Sequence, residues 1–498
     1  MRFAKILSVA TLPMFLFACS DDAASVRPSS HSETPQDTSK TEPPPNILDD
    51  DLKPIERDYS LIWPQGDGSA ENPYQISNEQ ELKALAFYVN DSSMTFKDKY
   101  FKQTADIALT EAWEPIGLFG KNAYGLGNRP FSGTFDGDSK TISGMTINDT
   151  ASYKGLFGLA RGAVVKNVVL KSAKMVVGTY AGALAGKMDS SVVDNCVLED
   201  IDVSGMDRVG GLIGEASHVS VANVVISGVV KGENSVGGVV GRLQDGAFDH
   251  LTNKAEVSGK STVGGVAGAF ATTVNSDGSV TEGEGFVRDL LNYGKVSGTK
   301  DVGGVMATLS ATKLDHAGNY GAVNADESAM SNVGGVIAVA SSKSVLNEVF
   351  NAGAVTVKKV LSAGGVFGSV KGATVTNVFN IAEVSGTATN MGGIMGIVDG
   401  ESNVDIGYNA GKVPDNNVSG TVAGKVSSTV TVSNVYYDKT VGGTCLVVAN
   451  QMNMELPTGL STEEVKAATF IATLNGTGSV WKAGSATFGG YPAFTWAE

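Results

Sequence analysis

A short motif, Gly-Gly followed by two hydrophobic residues and a small residue, returns along this chain at nearly constant spacing, and that period restricts the folds open to it. Clear copies are Gly237-Gly238-Val239-Val240-Gly241, Gly264-Gly265-Val266-Ala267-Gly268 and Gly364-Gly365-Val366-Phe367-Gly368. Aligned on the second position, the copies stand at Gly155, Ala183, Gly211, Gly238, Gly265, Gly304, Gly335, Gly365, Gly393 and Thr421. The successive intervals are 28, 28, 27, 27, 39, 31, 30, 28 and 28 residues. Units of about 28 residues are too short for a propeller blade, and they carry no helical period, which excludes the helical solenoids. Each unit instead holds three short β-type runs, as in 373–379, 382–386 and 391–395. Three strands per turn describe a triangular coil whose copies stack strand on strand. The expected fold is all-β: a right-handed parallel β-helix of three-strand coils with small N- and C-terminal caps.

Residues at equivalent places in the coils support this stacking. Val165, Val193, Val221, Phe248, Val287, Leu314, Leu346, Val375, Val404 and Val432 are apolar in every unit, so this position points inward. Five residues on, the column reads Leu170, Leu198, Ile226, then Asn253, Asn292, Asn319, Asn351, Asn380 and Asn409, then Tyr437. Six successive asparagines read as a ladder whose amides bond to their own copies and to turn backbone. The paired glycines fit either a positive φ or a close approach of backbones. The one long interval contains Asn275 to Gly285, a polar, Gly-rich insertion that reads as a loop leaving its coil.

Composition agrees with a folded, exported chain. There are 62 Gly but only 14 Pro, and 42% of residues are hydrophobic, enough for a core and unlike a disordered Gly-rich tract. A formal net charge of −15, with no cluster of Lys or Arg, argues against a nucleic-acid partner. Residues 1–19 read as an export signal: Arg2 and Lys5, an apolar run from Ile6 to Phe17, then Ala18 and Cys19. Residues 20–60, rich in Ser, Thr, Asp and Pro, read as a disordered tether. Residues 61–150 are expected to form the N-terminal cap and first coils, 151–440 the repeat β-helix and 441–498 a C-terminal cap closing the last coil. Asn78 or Ser77 is placed to cap a helix over Glu79 to Val89, and 460–465 suggests a second short capped helix. Cys196 and Cys445 fall eight or nine coils apart, roughly 40 Å at strand spacing, too far for a disulfide.

Leu16-Phe17-Ala18-Cys19 resembles the lipobox of bacterial lipoproteins, and Ser20-Asp21-Asp22 resembles the acidic start of surface-exported lipoproteins of the Bacteroidetes type. The resemblance implies lipidation at Cys19 and an outward-facing, lipid-anchored place on the outer membrane. Gly155-Leu156-Phe157-Gly158 and Gly210-Gly211-Leu212-Ile213-Gly214 resemble the GLUG repeat of bacterial surface and secreted proteins, over roughly residues 150–425. Phe131-Ser132-Gly133-Thr134-Phe135-Asp136-Gly137 and Gly490-Tyr491-Pro492-Ala493-Phe494 resemble its flanking segments. What this resemblance implies is a surface adhesin or matrix-type protein.

Several residues bear on chemistry. No Gly-Lys-Ser/Thr follows any glycine motif, so a phosphate loop is excluded, and His-Glu-x-x-His is absent. His250, Asp289 and His316 share one column with Asn167, Asn195 and Asn223, and stacked they offer metal ligands, although the two histidines fall about two rungs apart. Asp249, Asp289 and Asp315, on three neighbouring coils, offer the carboxylates of an inverting glycosidase, and Arg288 the nearest base for a lyase. Asp136-Gly137-Asp138 and the insertion carboxylates Asp277, Glu282 and Glu284 are candidate calcium ligands, neither forming a full coordinating loop. No resident cofactor is otherwise expected. An outward column ends in Phe350, Phe379, Tyr408 and Tyr436, an aromatic stripe for stacking on sugar rings or a partner protein, provided it is exposed. The function expected is a binding or adhesion solenoid presented to a polysaccharide or a cell-surface protein. The alternative is a β-helix polysaccharide hydrolase or lyase.

Overall fold

Strands pair in parallel register from one repeat to the next, and the pairing follows the columns read from the sequence. Val193 lies opposite Val165 and Val221, Val221 opposite Phe248, and Phe248 opposite Val287. The same column runs on through Leu314, Leu346, Val375 and Val404 to Val432. It also begins earlier than the repeats, at Tyr74, Phe101 and Phe135. From Phe101 to Val404 these side chains are essentially inaccessible to water. The computed structural model describes residues 62–92, 94–120, 127–273, 286–442, 446–450 and 456–497. They form a parallel β-solenoid of about 13 turns. Cys19, the tether, the carboxylates of the insertion and Cys445 lie outside the described residues. Phe248 and Val287 pair in register across the 39-residue interval. Cys196 is fully buried, and burial pushes its thiol up to about 12, far from reactive.

The asparagine column is a continuous ladder. Asn253 donates to Asn292 at 2.8 Å, Asn292 to Asn319 at 2.8 Å and Asn319 to Asn351 at 2.8 Å. Asn351 then donates to Asn380, and Asn380 to Asn409, each at 2.9 Å. The second proton of each amide goes to the carbonyl two residues on, for example Gly353 at 2.8 Å and Ala382 at 2.8 Å. All six asparagines are buried and satisfied. The glycine pairs are explained by the same contact. The second glycine of each pair has no positive φ; a Cβ at Gly365 would overlap both the carbonyl of Gly393 on the next coil and the Asn380 amide. Close approach, and not turn conformation, requires glycine there.

The N-terminal end is closed by a helix, Glu79–Asn90, capped by the Asn78 side chain accepting from Glu81 N at 3.0 Å. Leu82, Leu85 and Val89 are fully buried against the first coils, beside Trp63. The C-terminal segment begins with two short helices. Thr462–Lys466 is a helix held by a full capping box between Ser461 and Glu464, and Ala468–Asn475 follows it. The chain then runs back along the outside of the solenoid, pairing Trp481–Lys482 with Ala493–Phe494. It covers one wall of the last coils as well as ending them. No helix among the described residues is long and apolar enough to cross a membrane.

Replacing Asn351 by Ala strips partners from Asn319, Asn380 and the Gly353 backbone at once. Each buried group left unpaired costs about 1–3 kcal/mol. Urea unfolding followed by circular dichroism is expected to show Asn351→Ala destabilised by about 2–4 kcal/mol and Asn253→Ala, at the ladder's end, by clearly less. Equal losses at both sites would refute a ladder that propagates from coil to coil.

Candidate functional site

The aromatic stripe is in the register expected of it: Gly318 lies opposite Phe350, then Phe379, Tyr408 and Tyr436 follow coil by coil. Phe350 and Phe379 stack at 5.1 Å with planes 8° apart, and Phe379 and Tyr408 at 5.4 Å and 1°. The expectation that it forms a free binding surface does not hold. Phe350, Phe379 and Tyr408 are completely buried, and Tyr436 is half-buried, because the C-terminal segment lies over them. Phe470 packs edge-on against Tyr436 at 5.0 Å, Trp481 against Tyr408 at 5.9 Å and Phe488 against Phe350 at 5.4 Å. The Tyr408 hydroxyl donates to the Pro492 carbonyl, and Trp481 Nε1 donates to Asn377 Oδ1 at 3.2 Å. The stripe is the seat of the chain's own C-terminal segment. Apolar rings pointing outward from a solenoid need such a cover, since leaving them in water forfeits the burial that holds aromatic residues in place.

A second aromatic column was missed by the sequence reading. Phe119 stacks on Tyr153 at 4.0 Å, Tyr153 on Tyr180 at 4.2 Å, and the Arg208 guanidinium lies 4.8 Å from the Tyr180 ring centre. Tyr153 is stacked on both sides and Tyr180 lies between Tyr153 and Arg208, so this column ties coils together.

The polar cluster around His250 is assembled much as its columns suggest. Asn167, Asn195, Asn223, His250, Asp289, His316, Glu348 and Asn377 occupy successive coils at φ between 51° and 63°. Left-handed backbone at this corner explains the preference for Asn, which tolerates it with least strain. At other coils the asparagines donate to side chains of the preceding coil: Asn195 to Asn167 at 2.7 Å, and Asn167 to Asp136 and Asn223 to Asp194 at 2.8 Å each. Here histidines and carboxylates alternate instead. His250 Nδ1 lies 2.7 Å from Asp249 Oδ1 and its Nε2 3.1 Å from Asp289 Oδ2. His316 Nδ1 lies 2.6 Å from Asp289 Oδ1 and its Nε2 3.4 Å from Glu348 Oε2. Both histidines therefore meet on one carboxylate, Asp289. Arg288 grips Asp249 with two bonds, at 2.9 and 2.7 Å, and reaches Asp289 at 3.3 Å.

The candidate catalytic carboxylates Asp249, Asp289 and Asp315 are each engaged by a basic side chain. Arg288 stands between Asp249 and Asp315 in register, and Asp315 is paired with Lys313 at 3.0 Å. The hydrogen bonds from Arg288 hold the Asp249 carboxyl below the usual range, the reverse of what a general acid needs. For a metal, the donors that come within 4.8 Å of one another are Asp249, His250 and Asp289 rather than the set His250, Asp289 and His316. Arg288 already places a positive charge on the two carboxylates of that set. Asp136 and Asp138 are likewise engaged by Lys166 at 3.3 Å and Lys102 at 3.0 Å, with Asn167 donating to Asp136 at 2.8 Å.

Beside this cluster the surface sinks into an open hollow of about 480 Å³ lined by His250, Arg288, Asp289, Leu291, His316 and Trp496. Trp496 belongs to the C-terminal segment; its indole stacks on His316 with centres 4.9 Å apart and packs against Phe350 at 5.6 Å. No sequence column contains it. The available signals were that two of only four tryptophans, Trp481 and Trp496, fall in the last eighteen residues, and that an outward aromatic stripe lacked a cover.

A titration of the Asp249 carboxyl by carbon NMR tests the pairing. A depressed native value means that the pair's contribution to stability is present above the ordinary carboxyl value of about 3.9 and is lost as pH falls through the native one. The midpoint is expected below about 3.9 in the wild type and back near it in Arg288→Ala; an unchanged midpoint in the variant would show that Arg288 is not its cause.

No family model matches the chain. Halomucin of Haloquadratum walsbyi is 33% identical over 163 residues, covering 31% of this chain and 2% of that protein. A protein of Evansella cellulosilytica provisionally named as a Gly-rich membrane protein is 29% identical over 197 residues, 31% of this chain and 21% of its own. The chain thus spans only a small part of the curated relatives it matches. Among solved structures, a candidate immunoglobulin A1 protease from Bacteroides ovatus aligns over 88% of this chain and 96% of its own at 16% identity, with a TM-score of 0.34.

Proposed function

We propose that this protein is a surface-anchored binding solenoid that presents the hollow at Trp496 to a polysaccharide. The observation that carries this reading is the make-up of the hollow: an indole and Leu291 provide apolar wall, and Arg288, Asp289 and the two histidines converge on it with donors and acceptors. A concave, partly apolar site with a few placed polar groups is the usual form of a small-molecule contact. A rigid solenoid supplies the support, because rung-to-rung bonds on every side hold the site's backbone in place. The lipobox-like Leu16-Phe17-Ala18-Cys19 and the GLUG-like repeats accord with display at a cell surface, with Cys19 as the lipidation site. The names of the two relatives, a mucin-like name and a membrane protein, point the same way.

Binding is preferred over hydrolysis for one reason. Asp249 is held as an anion by a two-pronged Arg288, whereas glycoside hydrolysis needs one carboxyl kept protonated as general acid.

Glycan-array binding by the full chain tests the reading. Arg288→Ala is expected to weaken binding about tenfold or more, as loss of a charged hydrogen-bonding group does. Lys371→Ala, beside the separate Ser342–Gly400 groove, leaves it unchanged. Equal binding by the two variants would remove the hollow from the function.

A further inference from the structure

We propose that the hollow accepts an uncharged saccharide unit and discriminates against uronates and sulfated sugars; this rests on the binding reading above. What supports it is that each basic side chain of the site already has a resident carboxylate partner. Arg288 faces Asp249 at 2.7 Å and Asp289 at 3.3 Å. His250 stands between Asp249 at 2.7 Å and Asp289 at 3.1 Å. His316 stands between Asp289 at 2.6 Å and Glu348 at 3.4 Å. Every cationic or imidazole group lining the hollow therefore has a resident carboxylate within 3.4 Å.

An anionic ligand that reaches Arg288 must also stand against the resident carboxylates Asp249, Asp289 and Glu348, and it approaches a chain of net charge −15. A cationic ligand meets the converse obstacle, because Arg288 already occupies Asp249 with two bonds. A sugar hydroxyl does not face this choice. It donates and accepts at once, and a carboxylate oxygen has lone pairs to spare beyond those used by its partners. Two neighbouring hydroxyls can thus donate to Asp289 and accept from Arg288 with every existing pair intact. The C–H face of the same ring meets Leu291 and the part of the Trp496 indole left uncovered between His316 and Phe494, which stack on it at 4.9 and 5.9 Å.

The discrimination is built from two separate parts of the chain. His250, Arg288, Asp289 and His316 come from three consecutive coils, while Trp496 is delivered by the C-terminal segment. The position of the indole is set at a distance, through the Tyr408 hydroxyl on Pro492 and through Phe494 packed on Phe379 at 5.0 Å. Tyr408 and Phe379 are thus positioning residues, and their burial removes them from contact with ligand.

The test uses the full chain against immobilised neutral glucans, mannans and galactans, polygalacturonate, and a sulfated glycosaminoglycan, each at 50 and 500 mM NaCl. Binding to one or more neutral polymers is expected, with affinity constant within about twofold across this salt range, since no net ion pairing is gained. Trp496→Ala is expected to lose about tenfold or more and Trp496→Phe to keep most of the affinity. Asp289→Asn, which keeps the shape of the site, serves as a second variant if Trp496→Ala disturbs the C-terminal segment; it is expected to weaken neutral-glycan binding about tenfold. Selective binding of the acidic polymers that fades with salt would overturn this inference and leave the binding reading in place. Binding to none of the polymers would overturn both.

Discussion

The contact between the second glycine and the asparagine amide of the same coil, repeated in six coils, is the constraint on which the rest depends. At Gly238, Gly265, Gly304, Gly335, Gly365 and Gly393 no side chain fits, because the asparagine amide and the carbonyl of the next coil already fill the space. The amide in turn bonds to its copy above and to the turn backbone two residues on. Each coil is therefore fixed in height and in rotation relative to its neighbours. A slip by one residue would put ten apolar side chains outside and unpair the buried amides together.

With coils fixed, corners become columns, and columns are where the surface acquires character. At the left-handed corner most other coils carry Asn, and the exchange of Asn for His250, Asp289, His316 and Glu348 on four successive coils makes an alternating column of imidazole and carboxylate. On a neighbouring column, the change from Val225 and Thr252 to Phe350, Phe379 and Tyr408 creates a wall that must be covered. The C-terminal segment covers it, and in doing so brings Trp496 to His316. The two irregularities meet at one place, and the candidate site is there.

The repeat, the inward apolar column and the asparagine ladder were legible in the sequence because each depends on a side chain's relation to its own copies, which spacing alone records. The cluster of Asp249, His250, Asp289 and His316 was legible for the same reason. Burial of the stripe was not, because it depends on a segment about a hundred residues away with no repeat of its own. Trp496 was invisible to column analysis for that reason, and Phe119 likewise, since it lies ahead of the repeats. The role of Arg288 also needed coordinates: its place between Asp249 and Asp315 follows from register, but its two-pronged hold on Asp249, with a weaker reach to Asp289, is a matter of rotamer.

The central claim is that residues 462–497 are an integral wall of the solenoid, covering the stripe and completing the hollow. Native-state hydrogen exchange measured peptide by peptide tests it most directly. Amides of Ala468–Asn475, Trp481–Lys482 and Ala493–Phe494 are expected to be protected to an extent approaching that of the strands bearing Phe379 and Tyr408, because segment and stripe open together. Exchange of the whole segment at the rate of an unstructured chain, with the coils still protected, would contradict the account.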